Sequence, residues 1–337
     1  MRAAVIGAGV AGLCCALELA RRGVEIEIFE RAERLGASAC SWYAGGMLAP
    51  WCEGESAEPL VTALGEEAIG WWRAHFPGTA QRGSLVVAHG RDMGALETFA
   101  RRTERHEWLD RARIGELEPH LAGRFGNALY FPTEAHLDPR EALAFLAAQL
   151  DALGAVFRFG HSASSLEHAS DRRVVDCRGL AARSALPDLR GVKGEMVLLR
   201  THDVAVHRPI RVLHPRIPLY VVPRGDGLFM VGATSIESDQ PTRVSARSAL
   251  ELLGAAYALH PAFGEAEIVE IGTGVRPAFP DNLPRIRRCA DGLRVNGLYR
   301  HGFLLAPALA RRAAGALLED RFYPEVMDEA HRERPLA

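Results

Sequence analysis

Short apolar runs alternate with helix-length amphipathic stretches along the chain, and this alternation predicts an α/β protein. The first unit is compact. Ala3 to Ile6 forms an apolar strand, Val10 to Arg22 has helical periodicity, and Val24 to Phe29 forms a second strand. Gly23 follows Arg21 and Arg22 where a helix needs its closing glycine. Further on, GSLVVAHG (83–90), NALYFP and EMVLLR predict strands, while 138–153 and 246–259 predict helices. LYVVPRGDGLFMVGAT predicts a hairpin with Asp226 and Gly227 at a type I′ turn. GAVFRF and RRVVDCRG predict strands that return to the first unit. A strand-like run from Glu267 to Ile271 precedes Arg276, and Pro277 predicts a strand end or turn there. LYRHGFLLAP then opens a last helix, with Pro307 expected in its first turn, where its missing N–H removes no hydrogen bond.

The first unit carries a nucleotide-binding pattern. Gly7, Gly9 and Gly12 supply GxGxxG between a strand and a helix, and the second strand delivers Glu30. The spacing has a physical basis. The first glycine makes the tight turn, the second admits a pyrophosphate, and the third allows close helix–strand contact. Glu30 is placed to accept hydrogen bonds from ribose hydroxyls. Arg31 beside it suggests a 2′-phosphate, which the acid in front opposes. The motif alone leaves NAD and FAD open. No repeat or long linker interrupts the chain. The expected architecture is a Rossmann-like domain, discontinuous in sequence (1–78, 135–190 and 268–337), with an inserted sheet-rich α+β substrate domain (79–134 and 191–267).

Composition narrows the function. The 337 residues are 48% hydrophobic and 24% charged, with formal net charge −2, so no global field favours nucleic acid. Lys193 is the only lysine, which leaves one position for Schiff-base chemistry. No apolar run is long enough to span a bilayer, and the N-terminus shows no leader pattern. Six cysteines without CxxC or framework spacing predict reduced thiols and a cytoplasmic setting. The histidines form no HExxH or Cys/His cluster, so no metal is expected, and no GxSxG elbow appears.

Two segments stand out. GASACSWYAGGMLAPWCE (36–53) is too glycine-rich for a helix and too apolar for an exposed loop. Gly45 and Gly46 would let backbone lie flat against a planar ligand walled by Trp42, Met47 and Leu48, or the segment is a buried connector. Arg300, His301 and Gly302 stand at a helix mouth, where unpaired N–H groups and a partial positive charge receive anions. An ordinary loop-to-helix junction is the alternative.

Taken together, the FER-terminated GxGxxG unit, SWYAGGMLAP, VVDCRGLAA, LYVVPRGDGLFMVGAT, GTGVRPAFPDNLPRI and LYRHGFLLAP resemble one family. It is the FAD-dependent amine oxidases of the D-amino-acid oxidase and sarcosine oxidase group, and within it the glycine oxidases of bacterial thiamine biosynthesis. The likeness spans nearly the whole chain. It implies that Gly7, Ala8, Gly9, Val10 and Ala11, with Gly12, meet the pyrophosphate, and that Glu30 and Arg31 meet the adenosine. Ala163 would sit by the adenine. Ser41, Gly45, Gly46 and Met47 would line the flavin, with Ser38 an equally good match for the serine. Cys177 and Gly179 belong to the same lining. Leu298, Tyr299, Arg300, His301, Gly302, Phe303 and Leu304 would wrap the pyrimidine side, where reduced flavin carries negative charge.

The resemblance also implies that Arg276 grips the substrate carboxylate with help from Tyr220, with Arg300 near the same pocket. Contacts to the substrate amine from Thr234 or Glu237 stay open. The implied cofactor is non-covalent FAD, since no cysteine sits in GVRPAFPDN and Cys289 falls further on. The implied reaction oxidises glycine or another small amino acid to its imine, with dioxygen the electron acceptor and the flavin carrying the chemistry. A D-amino-acid or sarcosine oxidase or dehydrogenase is the alternative of the same fold, and a non-catalytic nucleotide sensor that of another class. A homo-oligomer is compatible with each.

Overall fold

The computed structural model describes residues 1–162, 172–214, 219–240 and 243–328. A six-stranded sheet is built around Arg2–Ile6, which pairs in parallel with Glu25–Glu30 on one side and Arg173–Asp176 on the other. Val156–Phe159 extends it beyond Glu25–Glu30, and Gly292–Asn296 beyond Arg173–Asp176, both in parallel. Arg285–Cys289 closes that side as an antiparallel edge. The central strand is apolar because it is covered on both faces; Ala3, Ala4, Val5 and Ile6 are all buried. The two segments expected to return to this sheet, near 156–159 and 173–176, do so.

Among the described residues, four helices pack into the core on one face: Val10–Ala20, Pro59–His75, Pro139–Ala152 and Gly302–Leu318. Leu13, Leu17, Leu64, Trp72, Leu305 and Leu309 interlock there, each effectively removed from water. Full burial of one such side chain stabilises the fold by about 1.5–3 kcal/mol. Pro307 departs from its expected place, because the last helix starts at Gly302 and the proline is its sixth residue. Its missing N–H would have bonded the carbonyl of Phe303. The indole N–H of Trp72 donates to that oxygen instead, at 2.8 Å, so no buried acceptor is orphaned.

Among the described residues the second sheet has nine strands. Its long strands, Arg190–Arg200 and Glu267–Ala278, run antiparallel for eleven residue pairs. The expected domain spans place 268–278 with the nucleotide unit, yet the ladder pairing of this strand is with Arg190–Arg200 of the large sheet, while the Tyr299 N–H reaches the Pro277 carbonyl and Arg140 the Glu270 carboxylate from the other side. Arg276 is therefore not at a strand end or turn: it lies within the strand, opposite Val192. Pro277 is tolerated because Glu267–Ala278 is an edge strand of the sheet. The hairpin joins Leu219–Gly225 to Leu228–Gly232, and both Asp226 (φ 47°) and Gly227 (φ 65°) take the left-handed conformation of the expected turn. The expected helices are Pro139–Ala152 and Ala246–Leu259, capped by the side chains of Asp138 and Ser245.

The glycine-rich segment is more ordered than expected. It holds a short 3-10 turn at Cys40–Tyr43, a two-residue strand at Met47–Leu48 and a four-residue helix at Pro50–Glu53. Among the described residues no helix is long and apolar enough to cross a membrane.

Candidate functional site

Ligands of open parallel sheets bind beyond the C-terminal ends of the strands. Four such ends converge here. Arg2–Ile6 leads into Gly7, Glu25–Glu30 ends on Glu30, Arg173–Asp176 leads into Cys177, and Gly292–Asn296 leads into Leu298. Gly7 turns at φ 101°, and a β-carbon there would stand 2.7 Å from the carbonyl oxygen of Cys177. One on Gly12 would overlap the carbonyl of Gly7. Gly9 caps the Val10–Ala20 helix without a side chain, and the Val10 N–H finds only the Ser41 hydroxyl, at 3.3 Å. This cradle fits a pyrophosphate: there is no β-carbon in the way and a helix N-terminus faces the space.

Two adjoining cavities open from the cradle. The outer one is lined by Glu30, Arg31, Ser38, Cys177 and Gly179, together with Gly7 and Gly9. The Glu30 carboxylate accepts from the Ala8 and Ala32 N–H groups, both at 2.9 Å, and from the Ser38 hydroxyl at 2.7 Å. A carboxylate offers about four acceptor positions, so one remains for a ribose hydroxyl. The two serines thus separate: Ser38 braces Glu30, whereas Ser41 stands at the helix N-terminus. Ala8 and Gly12 act behind the wall and line neither cavity. Ala163 lies outside the described residues.

The inner cavity encloses about 1250 Å³, its open mouth included. Gly9, Val10 and Ala11 form its floor beside Ser41, Gly45, Gly46 and Met47, and all seven residues from Leu298 to Leu304 line it. The glycine pair is pinned from the other sheet. Arg224 donates to the carbonyls of Ala44 and Leu137, both at 2.8 Å, and the Leu137 N–H donates to Gly46. Burial pulls this arginine down to about 10, with Asp138 opposing. Gly46 takes φ 72° with the Leu137 carbonyl against it, and a β-carbon on Gly45 would stand 2.8 Å from the Tyr220 ring.

Arg276 and Tyr220 face the same cavity. The arginine donates to the Thr234 carbonyl at 3.0 Å and lies across Gly194, where a β-carbon would overlap its guanidinium. Burial lowers its pKa, Tyr220 opposes, and Arg300 adds to the lowering. The Thr234 hydroxyl is used internally, accepting from the Glu195 N–H at 2.9 Å. Glu237 pairs with Arg190 at 2.6 Å and lines neither cavity.

At the helix mouth only Arg300 is a cation. His301 is buried, which holds its pKa near 4 despite Glu53, so it is neutral at physiological pH. The N–H groups of Gly302, Phe303 and Leu304 precede the first helical hydrogen bond, Leu305 to His301 at 2.8 Å, and form an anion-receiving end. The residues that sequence reasoning missed are Gly194, Arg224, Glu53 and Arg211. A glycine inside a strand is a signal of close approach and flagged Gly194 in principle; nothing local marked the others. Cys289 lines neither cavity.

The chain matches the family model described as FAD dependent oxidoreductase over residues 2–316. It is 56% identical over 332 residues to a Rhizobium etli protein that carries the name thiamine biosynthesis oxidoreductase ThiO, covering 96% of this chain and 99% of that one. It is 29% identical to the glycine oxidase of Geobacillus kaustophilus, covering 90% and 89%. The crystal structure of the Geobacillus enzyme superposes with a TM-score of 0.80 at 24% identity, covering 97% and 99%. The glycine cradle, the open acceptor on Glu30 and the two cavities fit the cofactor this match names, and the chain belongs to the FAD-dependent oxidoreductase family.

Proposed function

We propose that the protein oxidises glycine, or an amino acid of similar size, to its imine, with dioxygen as electron acceptor and the imine feeding thiazole assembly for thiamine. The observation that carries this reading is the pairing of Arg276 and Tyr220 in the cavity also lined by Gly45, Gly46 and Leu298 to Leu304. Guanidinium binds carboxylate through two parallel hydrogen bonds and so fixes direction as well as position. Bound FAD supplies the acceptor for a hydride from the substrate Cα. The chain supplies orientation. Arg276 and Tyr220 anchor the carboxylate, while Gly45 and Gly46 let backbone run along a flat ring system. The free N–H groups of Gly302, Phe303 and Leu304 receive negative charge at the far side.

The FAD is held without a covalent bond, in a domain whose described residues are 1–78, 135–162, 172–190 and 279–328, and the enzyme works in the cytoplasm. The relatives' names, ThiO and glycine oxidase, support glycine as substrate. A second reading, oxidation of an N-substituted glycine such as sarcosine, is favoured by a side chamber beyond Tyr220 and Arg300. Ser235, Ser248 and Arg247 line it.

The test is anaerobic addition of glycine, sarcosine and D-alanine to the yellow holoenzyme, followed by air and a peroxide assay. Bleaching by glycine at the lowest concentration, with stoichiometric peroxide on reoxidation, is expected. A flavin that no amine bleaches would mark a non-catalytic nucleotide binder.

A further inference from the structure

Among the described residues that line the inner cavity, Glu53 is the only carboxylate. It closes the Pro50–Glu53 helix, and its side chain is 13% exposed. Arg211, on the Ile210–Leu213 strand of the other sheet, holds one oxygen at 3.5 Å and donates to the Cys52 carbonyl at 3.1 Å. The second oxygen faces Nδ1 of His301 at 3.7 Å. Burial alone would raise the carboxyl. Arg211, with Arg300, outweighs it and holds the group at about 2, so Glu53 is an anion throughout the physiological range.

A buried carboxylate is costly to keep unless it has a partner, and Arg211 alone would satisfy that need anywhere in the core. Here the pair is set against the cavity wall, with the acid lining the space. The surroundings are otherwise cationic. Arg276 and Arg300 line the cavity, Arg211 stands behind Glu53, and His301 adds no charge because it is neutral.

We propose that Glu53 faces the amine end of the substrate and stabilises the positive charge that appears on the substrate nitrogen during oxidation. This rests on the function proposed above. In that reaction the Cα–H bond breaks, and hydrogen and bonding pair leave together for the flavin. The nitrogen lone pair forms the C=N bond, leaving an iminium cation. The neutral amine carries no charge beforehand, so the attraction of Glu53 grows as the reaction proceeds. An interaction stronger in the transition state than in the ground state raises kcat rather than lowering KM. Arg276 plays the complementary part. The carboxylate it holds is an anion throughout, so it contributes binding and direction.

The experiment compares wild type with Glu53→Gln as FAD-loaded enzymes. It measures the limiting rate of anaerobic flavin reduction at saturating glycine, or at the best amine found. Beside it, the dissociation constant of glycolate is read from the flavin spectrum. Glycolate has the carboxylate and lacks the amine. The expected result is a limiting rate at least tenfold lower, with glycolate affinity within threefold of wild type and Glu53→Asp recovering part of the rate. A rate within twofold of wild type overturns the proposal. So does an equal loss of glycolate affinity and rate, which would mark a structural role. Should Glu53→Gln fail to fold with Arg211 unpaired, the double variant Glu53→Gln/Arg211→Met removes both charges, and the same outcomes apply. Wild type that no amine reduces would overturn the amine-oxidase reading itself. Wild type reduced no faster than the variant overturns only the role of Glu53.

Discussion

The guanidinium of Arg276 rests on Gly194 of the neighbouring strand, in space that a β-carbon would fill. The atoms that would collide belong to the far end of a flexible side chain, so Gly194→Ala should move the arginine and leave the sheet intact. The expected outcome is a KM for glycine raised about tenfold, equivalent to about 1.4 kcal/mol. FAD content and melting temperature should change little. Steady-state kinetics beside a thermal melt checks this, and an unchanged KM would show that the arginine tolerates the methyl group.

Removing the arginine itself should cost more. Truncating one partner of a buried charge pair costs about 2–5 kcal/mol. Arg276→Met should therefore raise the KM for glycine by tens-fold or more while FAD stays bound. Arg276→Lys should recover only part, because a point charge cannot reproduce the fork. If Arg276→Met oxidises glycine with unchanged kcat and KM, the carboxylate anchor lies elsewhere.

Trp72 and Pro307 form a coupled pair through one oxygen. Trp72→Phe leaves the Phe303 carbonyl without a donor, since Pro307 has no N–H to offer. An orphaned buried acceptor costs about 1–3 kcal/mol. Pro307→Ala supplies the missing helical N–H, so it should soften the Trp72→Phe loss. A double-mutant cycle by urea unfolding should return a coupling energy of about 1 kcal/mol. Strict additivity would show that the carbonyl is satisfied in another way.

Glu134 makes a prediction about pH. It is fully buried beneath the Cys52 N–H, which donates to it at 2.8 Å, and burial pushes its carboxyl up to about 7, with Cys52 and Ser84 opposing. The folded value exceeds the unfolded one, 4.5. Between those values the folded chain keeps a proton that the unfolded chain has released. Stability present below the unfolded value is therefore lost as pH rises through about 7. Glu134→Gln cannot ionise and escapes this loss. Its stability relative to wild type should improve from pH 5 to pH 8, by about 1.4 kcal/mol per unit across the window. Urea midpoints at the two pH values test it, and an equal difference at both would refute it. His136 and His301, which burial holds near 4, shift stability in the opposite sense, but they are common to both proteins and cancel in the difference.

The cofactor module was legible because its requirements are local. Three glycines within six residues, a strand before them and an acid at the end of the next strand are all covalent neighbours or nearly so, and a pyrophosphate imposes that spacing on any chain. The hairpin turn at Asp226 and Gly227 and the caps at Asp138 and Ser245 are legible for the same reason. Arg276 and Tyr220 became candidates through family likeness, and the pairing of their strands into one sheet brought them to one cavity.

Tertiary structure alone decided the rest. Glu53 is an anion because Arg211, 158 positions away in sequence, lies beside it, and His301 is neutral because the fold buries it. Ser38 and Ser41 took different roles only once Glu30 and the helix N-terminus were set in space. Pro307 sits inside a helix because Trp72 reaches the carbonyl it abandons. Gly194 matters because another strand lays an arginine across it. Charge state, steric clearance and hydrogen-bond satisfaction belong to surroundings assembled from distant segments, so no window of sequence contains them, whereas turn geometry and helix capping are settled within a few residues.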